Sequence, residues 1–123
     1  MIDLDYFKKI NDNFGHLVGD KVLVEFAKLL RQSVRDYDIV CRYGGEEFLL
    51  VLPGSTLDNR RQLAERIREK TMQMTIYAEG EQVPISMSGG VARLENEDTV
   101  DSLLRRADDK LYEAKRRGRN RIV

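Results

Sequence analysis

Apolar and polar positions change period several times along the chain. "MIDL" is a short apolar run broken by acid, and it predicts a strand at residues 1–4. "YFKKINDNFG" predicts a short helix that stops near Gly15, a residue suited to a left-handed C-cap. "GDKVLVEFAKLLRQSVR" repeats its apolar residues at Val22, Phe26, Leu29, Leu30 and Val34. That is helical spacing, with Asp20 as the expected N-cap. "DIVCRY" and "EFLLVL" are strand-like and predict a two-residue hairpin at Gly44 and Gly45. "STLDNRRQLAERIREKT" predicts a helix opened by a capping box of Ser55 and Asp58. "MTIYAEGEQVPISMSGGVA" predicts a small hairpin turning near Gly80, whose second arm runs into a longer strand. "TVDSLLRRADDKLYEAKRRG" carries Val100, Leu103, Ala107, Leu111 and Ala114 on one helical face and stops at Gly118.

The resulting order is β-α-β-β-α-β, with an extra C-terminal helix and a small extra hairpin. It predicts a ferredoxin-like α/β sandwich with an antiparallel central sheet. Right-handed crossovers then place the first strand in the middle, beside the third. Asp3 and Asp5 fall at the end of strand one, next to Glu46 and Glu47 at the start of strand three. Neighbouring strands lie about 4.8 Å apart, so the two acidic groups should be adjacent. Packed carboxylates repel and raise one another's pKa, a conflict that a divalent cation removes. Oxygen donors suit Mg²⁺ or Mn²⁺, and the lack of nearby Cys or several His argues against zinc. The paired glycines leave room for a substrate to approach the backbone. The same residues also read as a solvated acidic sheet edge with a glycine hairpin.

Composition narrows the field. With 123 residues, 41% hydrophobic and 34% charged, the chain is expected to form one globular domain. Lys plus Arg and Asp plus Glu are equal at 21 each, so no general basic field favours nucleic acid or an anionic membrane. The basic tail "KRRGRNR" is local. In the predicted layout the last helix returns Lys115, Arg116, Arg117 and Arg119 to the acidic rim. Acids for metal and bases for phosphate describe a site for a nucleotide polyphosphate, without a P-loop sequence. The single cysteine, Cys41, is expected to be a buried free thiol in a reducing compartment. There is no signal peptide and no long apolar span, so a cytoplasmic location is expected, with no membrane contact by this domain. Opening inside a strand marks residues 1–123 as an expected N-terminally truncated domain of a longer protein.

Three motifs in order give this chain a family resemblance: "DLDYFKKINDNFGHLVGD", "GGEEF" and "ADDKLYEAKRRGRNRI". Together they resemble the GGDEF-domain diguanylate cyclases over essentially the whole length. The resemblance implies condensation of two GTP into cyclic di-GMP with release of pyrophosphate, across a homodimer, with Mg²⁺ or Mn²⁺. It implies metal binding by Asp3, the carbonyl of Leu4 and Glu46. It places the catalytic acids at Glu46 and Glu47, with Glu46 favoured as the base. Asn11 and Asp20 match the guanine readers, with His16 near the base pocket. Lys8, Lys115 and Arg119 match phosphate contacts, beside Gly44 and Gly45. Arg35 and Asp38 match an RxxD product-inhibition motif, which Arg66 joins from a neighbouring domain. Five residues separate Asp38 from the glycine turn, roughly 17 Å at strand spacing. The alternative from another class is a catalytically inactive module that senses GTP or cyclic di-GMP. Another is a cyclase of different base specificity.

Overall fold

The structure is a computed structural model that describes residues 1–123. Its elements run β1 (Ile2–Leu4), α1 (Phe7–Phe14), α2 (His16–Ser33), β2 (Ile39–Arg42), β3 (Glu47–Val51), α3 (Leu57–Met72), β4 (Tyr77–Ala78), β5 (Glu81–Gln82), β6 (Met87–Gly89) and α4 (Val100–Arg116). The main sheet has the order β2-β3-β1-β6, and all its pairings are antiparallel. This is the expected ferredoxin-like arrangement, with β1 central and beside β3. β4 and β5 form the separate hairpin, turning through Glu79 and Gly80, both at positive φ.

Strand alternation sorts the sheet into two faces. Ile2, Leu4, Phe48 and Met87 join Val22, Phe26 and Leu30 of α2 and Ile67 of α3 in the larger core. Phe26 meets Phe48 edge to face, with ring centroids 5.2 Å apart. On the other face, Met1 packs with Ala107 and Leu111 of α4. A methyl on Gly90 would stand 2.2 Å from the Ala107 carbonyl oxygen and 2.4 Å from the Leu111 nitrogen. Glycine here lets α4 rest directly on the sheet.

Local details differ from the sequence reading in five places. Asp20 is not an N-cap. α2 begins at His16 behind Gly15, which has φ 90°, so Asp20 lies one turn inside the helix. Gly15 does end α1 at positive φ, and its N–H donates to the Asn11 carbonyl. The cap of α3 is Thr56, which accepts from the Asn59 N–H at 3.2 Å, one residue beyond Ser55. The β2–β3 connection is longer than two residues, because Arg42 pairs with Phe48 and β3 begins at Glu47. β6 is only three residues long, matching the short β1 beside it. Cys41 is exposed rather than buried. It alternates with Val40 on an edge strand, so it points away from the larger core, with Ile39 exposed two residues before it.

Candidate active site

Alternation on β1 assigns Asp3 to the face covered by α4. Its cross-strand partners are Glu47 on β3 and Ser88 on β6. Directly opposed residues project to the same side, so Glu47, Asp3 and Ser88 form a row across the sheet. Glu46 stands next to the row, its carbonyl accepting from the Leu4 N–H at 3.2 Å. Lys115, in the last turn of α4, reaches over the row and donates to Asp3 Oδ2 at 2.8 Å. Burial raises the Asp3 carboxyl above its ordinary 3.8. The Lys115 ammonium opposes that rise, and the charges of Glu46 and Glu47 add to it. Those two charges register on Asp3, which places the expected acids near one another.

Asp5 departs from the expected acidic group. It is buried, and its carboxylate accepts from Ser86 Oγ at 2.7 Å, Ser88 Oγ at 2.6 Å and the Asn120 N–H at 3.0 Å. Its role is structural: it fastens the turn after α4 to β1 and β6. Arg119 and Asn120 both have positive φ in that turn. Arg119 is thereby held with its guanidinium 4.7 Å from the Tyr6 ring centroid. Tyr6 itself sits at φ 53° between Asp5 and α1. Sequence reading missed Ser86, Ser88, Asn120 and Tyr6 entirely. Only the acidic strand end at Asp5 gave a signal for this cluster.

The glycine turn is pinned from one side. Arg42 Nε donates to the carbonyls of Gly44 at 3.2 Å and Gly45 at 3.1 Å, and its Nη2 donates to Gly45 at 2.7 Å. Neither glycine is at positive φ. A methyl on Gly45 would meet nothing within 4 Å, and one on Gly44 would make only ordinary contact with Glu47. The protein's own backbone and packing therefore do not require glycine at either position. The space above the turn is open to a ligand that approaches the backbone.

The base-reading candidates lie on the two helices after β1. Asn11 Oδ1 is 1.8 Å from where a methyl on Gly19 would sit. Glycine at 19 thus gives the Asn11 side chain its place, one residue before Asp20. Lys8, His16 and Asp20 are exposed on α1 and α2. No hydrogen bond or ion pair joins any of them to the acidic row.

The candidate metal ligands are two carboxylates and one backbone carbonyl: Asp3, Glu46 and Leu4. No three Asp, Glu, His or Cys side chains converge to enclose an ion by themselves. The donor set still fits a hard cation that takes its remaining ligands from phosphate oxygens. The buried Asp3 carboxylate already holds a cation in the form of the Lys115 ammonium.

The RxxD residues form a separate turn between α2 and β2. Asp38 is buried, and its Oδ2 accepts from the Arg35 N–H at 2.9 Å. Its Oδ1 is buried without a partner. Arg35 is exposed and donates from Nη1 to the Tyr37 hydroxyl at 2.6 Å. Arg66 is exposed on α3, which packs on α2, and it bonds to neither Arg35 nor Asp38.

Family comparison agrees with this geometry. The family described as "Diguanylate cyclase, GGDEF domain" matches residues 1–121. The chain belongs to the GGDEF domain family. It is 43% identical over 122 residues to diguanylate cyclase DgcP of Pseudomonas aeruginosa. It is 46% identical over 126 residues to the response regulator PleD of Caulobacter vibrioides. These matches cover 99% and 100% of the chain but only 18% and 28% of the two relatives. The GGDEF domain of DgcB from Caulobacter crescentus, solved in complex with c-di-GMP, superposes with a TM-score of 0.95 at 32% identity, over 99% of this chain and 73% of that one. The active GGEEF domain of a diguanylate cyclase from Vibrio cholerae gives a TM-score of 0.86 at 37% identity, over 98% of this chain and 77% of that one. In this GGDEF domain the signature glycines and glutamates occupy the pinned turn and the acidic row. No helix is long and apolar enough to cross a membrane.

Proposed function

We propose that this domain is a diguanylate cyclase that condenses two GTP molecules into cyclic di-GMP and two pyrophosphates. The observation that carries the reading is Asp3 and Glu47 side by side beneath Lys115, with Glu46 next to them and an open glycine turn above. Each domain binds one GTP. Asn11 and Asp20 read guanine, an amide and a carboxylate meeting its O6 acceptor and its N1 and N2 donors. His16 borders the base. Lys8, Lys115 and Arg119 hold the phosphates over Gly44 and Gly45. Asp3, Glu46 and the Leu4 carbonyl would hold Mg²⁺ or Mn²⁺, which would supply positive charge against the reacting phosphate. Glu46 accepts the proton of the 3′-hydroxyl, and Glu47 supports it in charge and geometry.

One half-site holds only one of the two reactants, so two domains must face each other across a two-fold axis. Each 3′-oxygen then attacks the other nucleotide's α-phosphorus, and pyrophosphate leaves. Product returns to the RxxD site, where the Arg35 guanidinium takes guanine and phosphate and Asp38 accepts from guanine. The exposed Arg35 guanidinium, in the same turn as Asp38, supports that reading. Arg66 completes the site from a neighbouring domain. GTP as substrate places this work in the cytoplasm.

The test is incubation with GTP and Mg²⁺ or Mn²⁺ beside a Glu46→Gln control, with products identified by mass spectrometry. Cyclic di-GMP from the unaltered chain alone is the expected result. Bound GTP with no product, even after forced dimerisation, overturns the cyclase reading in favour of a sensing module. A different cyclic dinucleotide overturns the assignment of Asn11 and Asp20.

A further inference from the structure

Asp3 and Lys115 come from opposite ends of the chain, 112 residues apart, and make a close ion pair. Their exposures differ. The Asp3 side chain is 6% exposed and that of Lys115 is 29% exposed. The carboxylate is fixed in the sheet, while the ammonium sits at the end of four methylenes on the open side. Lys115 can therefore swing off Asp3 by side-chain rotation alone. Asp3 cannot follow.

We propose that Lys115 is a placeholder cation: it occupies Asp3 until a metal-bound nucleotide arrives, then yields the carboxylate to the metal and turns to the phosphates. The proposal rests on the nucleotide reading above and extends it to the order of binding. A divalent ion arriving alone must displace Lys115 and then sit beside a freed ammonium, with like charges at close range. An ion carrying a triphosphate brings the anions that the displaced ammonium needs. The site thus resists metal alone and accepts metal and nucleotide together. By linkage, the nucleotide must strengthen metal binding as much as the metal strengthens nucleotide binding. A fixed structural ion pair, which merely holds α4 to β1, makes the opposite prediction: its removal brings no gain in metal affinity.

The experiment is a Mn²⁺ titration of the whole chain, following the free-ion signal by electron paramagnetic resonance. It is run with and without an α,β-methylene analogue of GTP, for the unaltered chain and for Lys115→Met. Without nucleotide, Lys115→Met is expected to bind Mn²⁺ at least tenfold more tightly. With the analogue, the enhancement of Mn²⁺ binding by nucleotide is expected to shrink at least tenfold. Unchanged or weaker Mn²⁺ binding without nucleotide overturns the proposal. So does an equal gain in Arg116→Met, which removes one positive charge from the same helix end without touching Asp3. Thermal melting checks that Lys115→Met is folded. Should it melt early, Lys115→Gln carries the same comparison. Failure of the unaltered chain to bind the analogue at all counts against the nucleotide reading, and is separate from the Mn²⁺ comparison without nucleotide.

Discussion

Gly90 and Ala107 touch backbone to backbone, and this contact sets how closely α4 lies on the sheet. Lys115 stands two turns further along the same helix. A methyl at position 90 meets backbone on two sides, so no side chain can move to admit it. Gly90→Ala is expected to lower stability by about 1–3 kcal/mol and to lift Lys115 away from Asp3. Thermal melting reads the first effect and GTP affinity the second. A variant with unchanged melting and unchanged affinity would show that the helix is not held by this contact.

Gly19→Ala separates function from stability. Position 19 is inside α2, where alanine is favoured over glycine by about 1 kcal/mol. The added methyl claims the place of Asn11 Oδ1, the end of a movable side chain. The melting temperature is expected to stay level or rise, while KM for GTP increases at least tenfold. Unchanged KM would remove Asn11 from the base pocket.

The cap of α4 carries a pH dependence of defined sign. Asp98 is held well below the ordinary carboxylate value, first by its hydrogen bond with Arg106, then by the Glu95 N–H and the Ser102 hydroxyl. A lowered carboxyl stabilises the fold fully above the unfolded value of 3.8, and that stabilisation is lost as pH falls through the folded value. Asp98→Asn is therefore expected to melt earlier than the unaltered chain at pH 7. The gap should narrow at low pH, as Asp98 itself becomes protonated. Melting curves of both proteins between pH 7 and strong acid check this; a constant gap contradicts it.

Product inhibition should depend on Arg35. The side chain is exposed and touches only Tyr37, so Arg35→Ala is expected to leave the melting temperature and initial rate unchanged. The inhibition constant for cyclic di-GMP should weaken at least tenfold. Retained inhibition would remove Arg35 from the product site.

Pairing of two half-sites predicts a rate that is not proportional to protein. Specific activity should fall on dilution below the dimer constant and return when two copies are tethered. Constant specific activity on dilution would show that one domain suffices.

Most of the architecture was legible because each helix and strand carries its own period. The strand order followed from β-α-β-β-α-β alone, and with it the approach of Asp3 to Glu46 and Glu47. Details set by contacts distant in sequence were not legible. Asp5 looks like Asp3 in the sequence, yet serine hydroxyls and the backbone of Asn120 commit it to structure. Cys41 sits in an apolar run, and only the edge position of β2 exposes it. The cap of α3 fell one residue off, at Ser55, because Thr56 beside it is an equal candidate, and that of α2 five off, at Asp20, because α2 starts behind Gly15 with no side-chain cap to read. The glycine turn was located correctly, but its length required the register Arg42↔Phe48.

The pairing of Asp3 with Lys115 also has a consequence for biosynthesis. The first strand leaves the ribosome more than a hundred residues before its cation does. Until α4 is complete, a nascent chain has Asp3 with no lysine to neutralise it and Asp5 with no Asn120 to fasten. The site therefore comes into existence only when the domain is whole. An abandoned fragment carries most of the signature motifs without the assembled site.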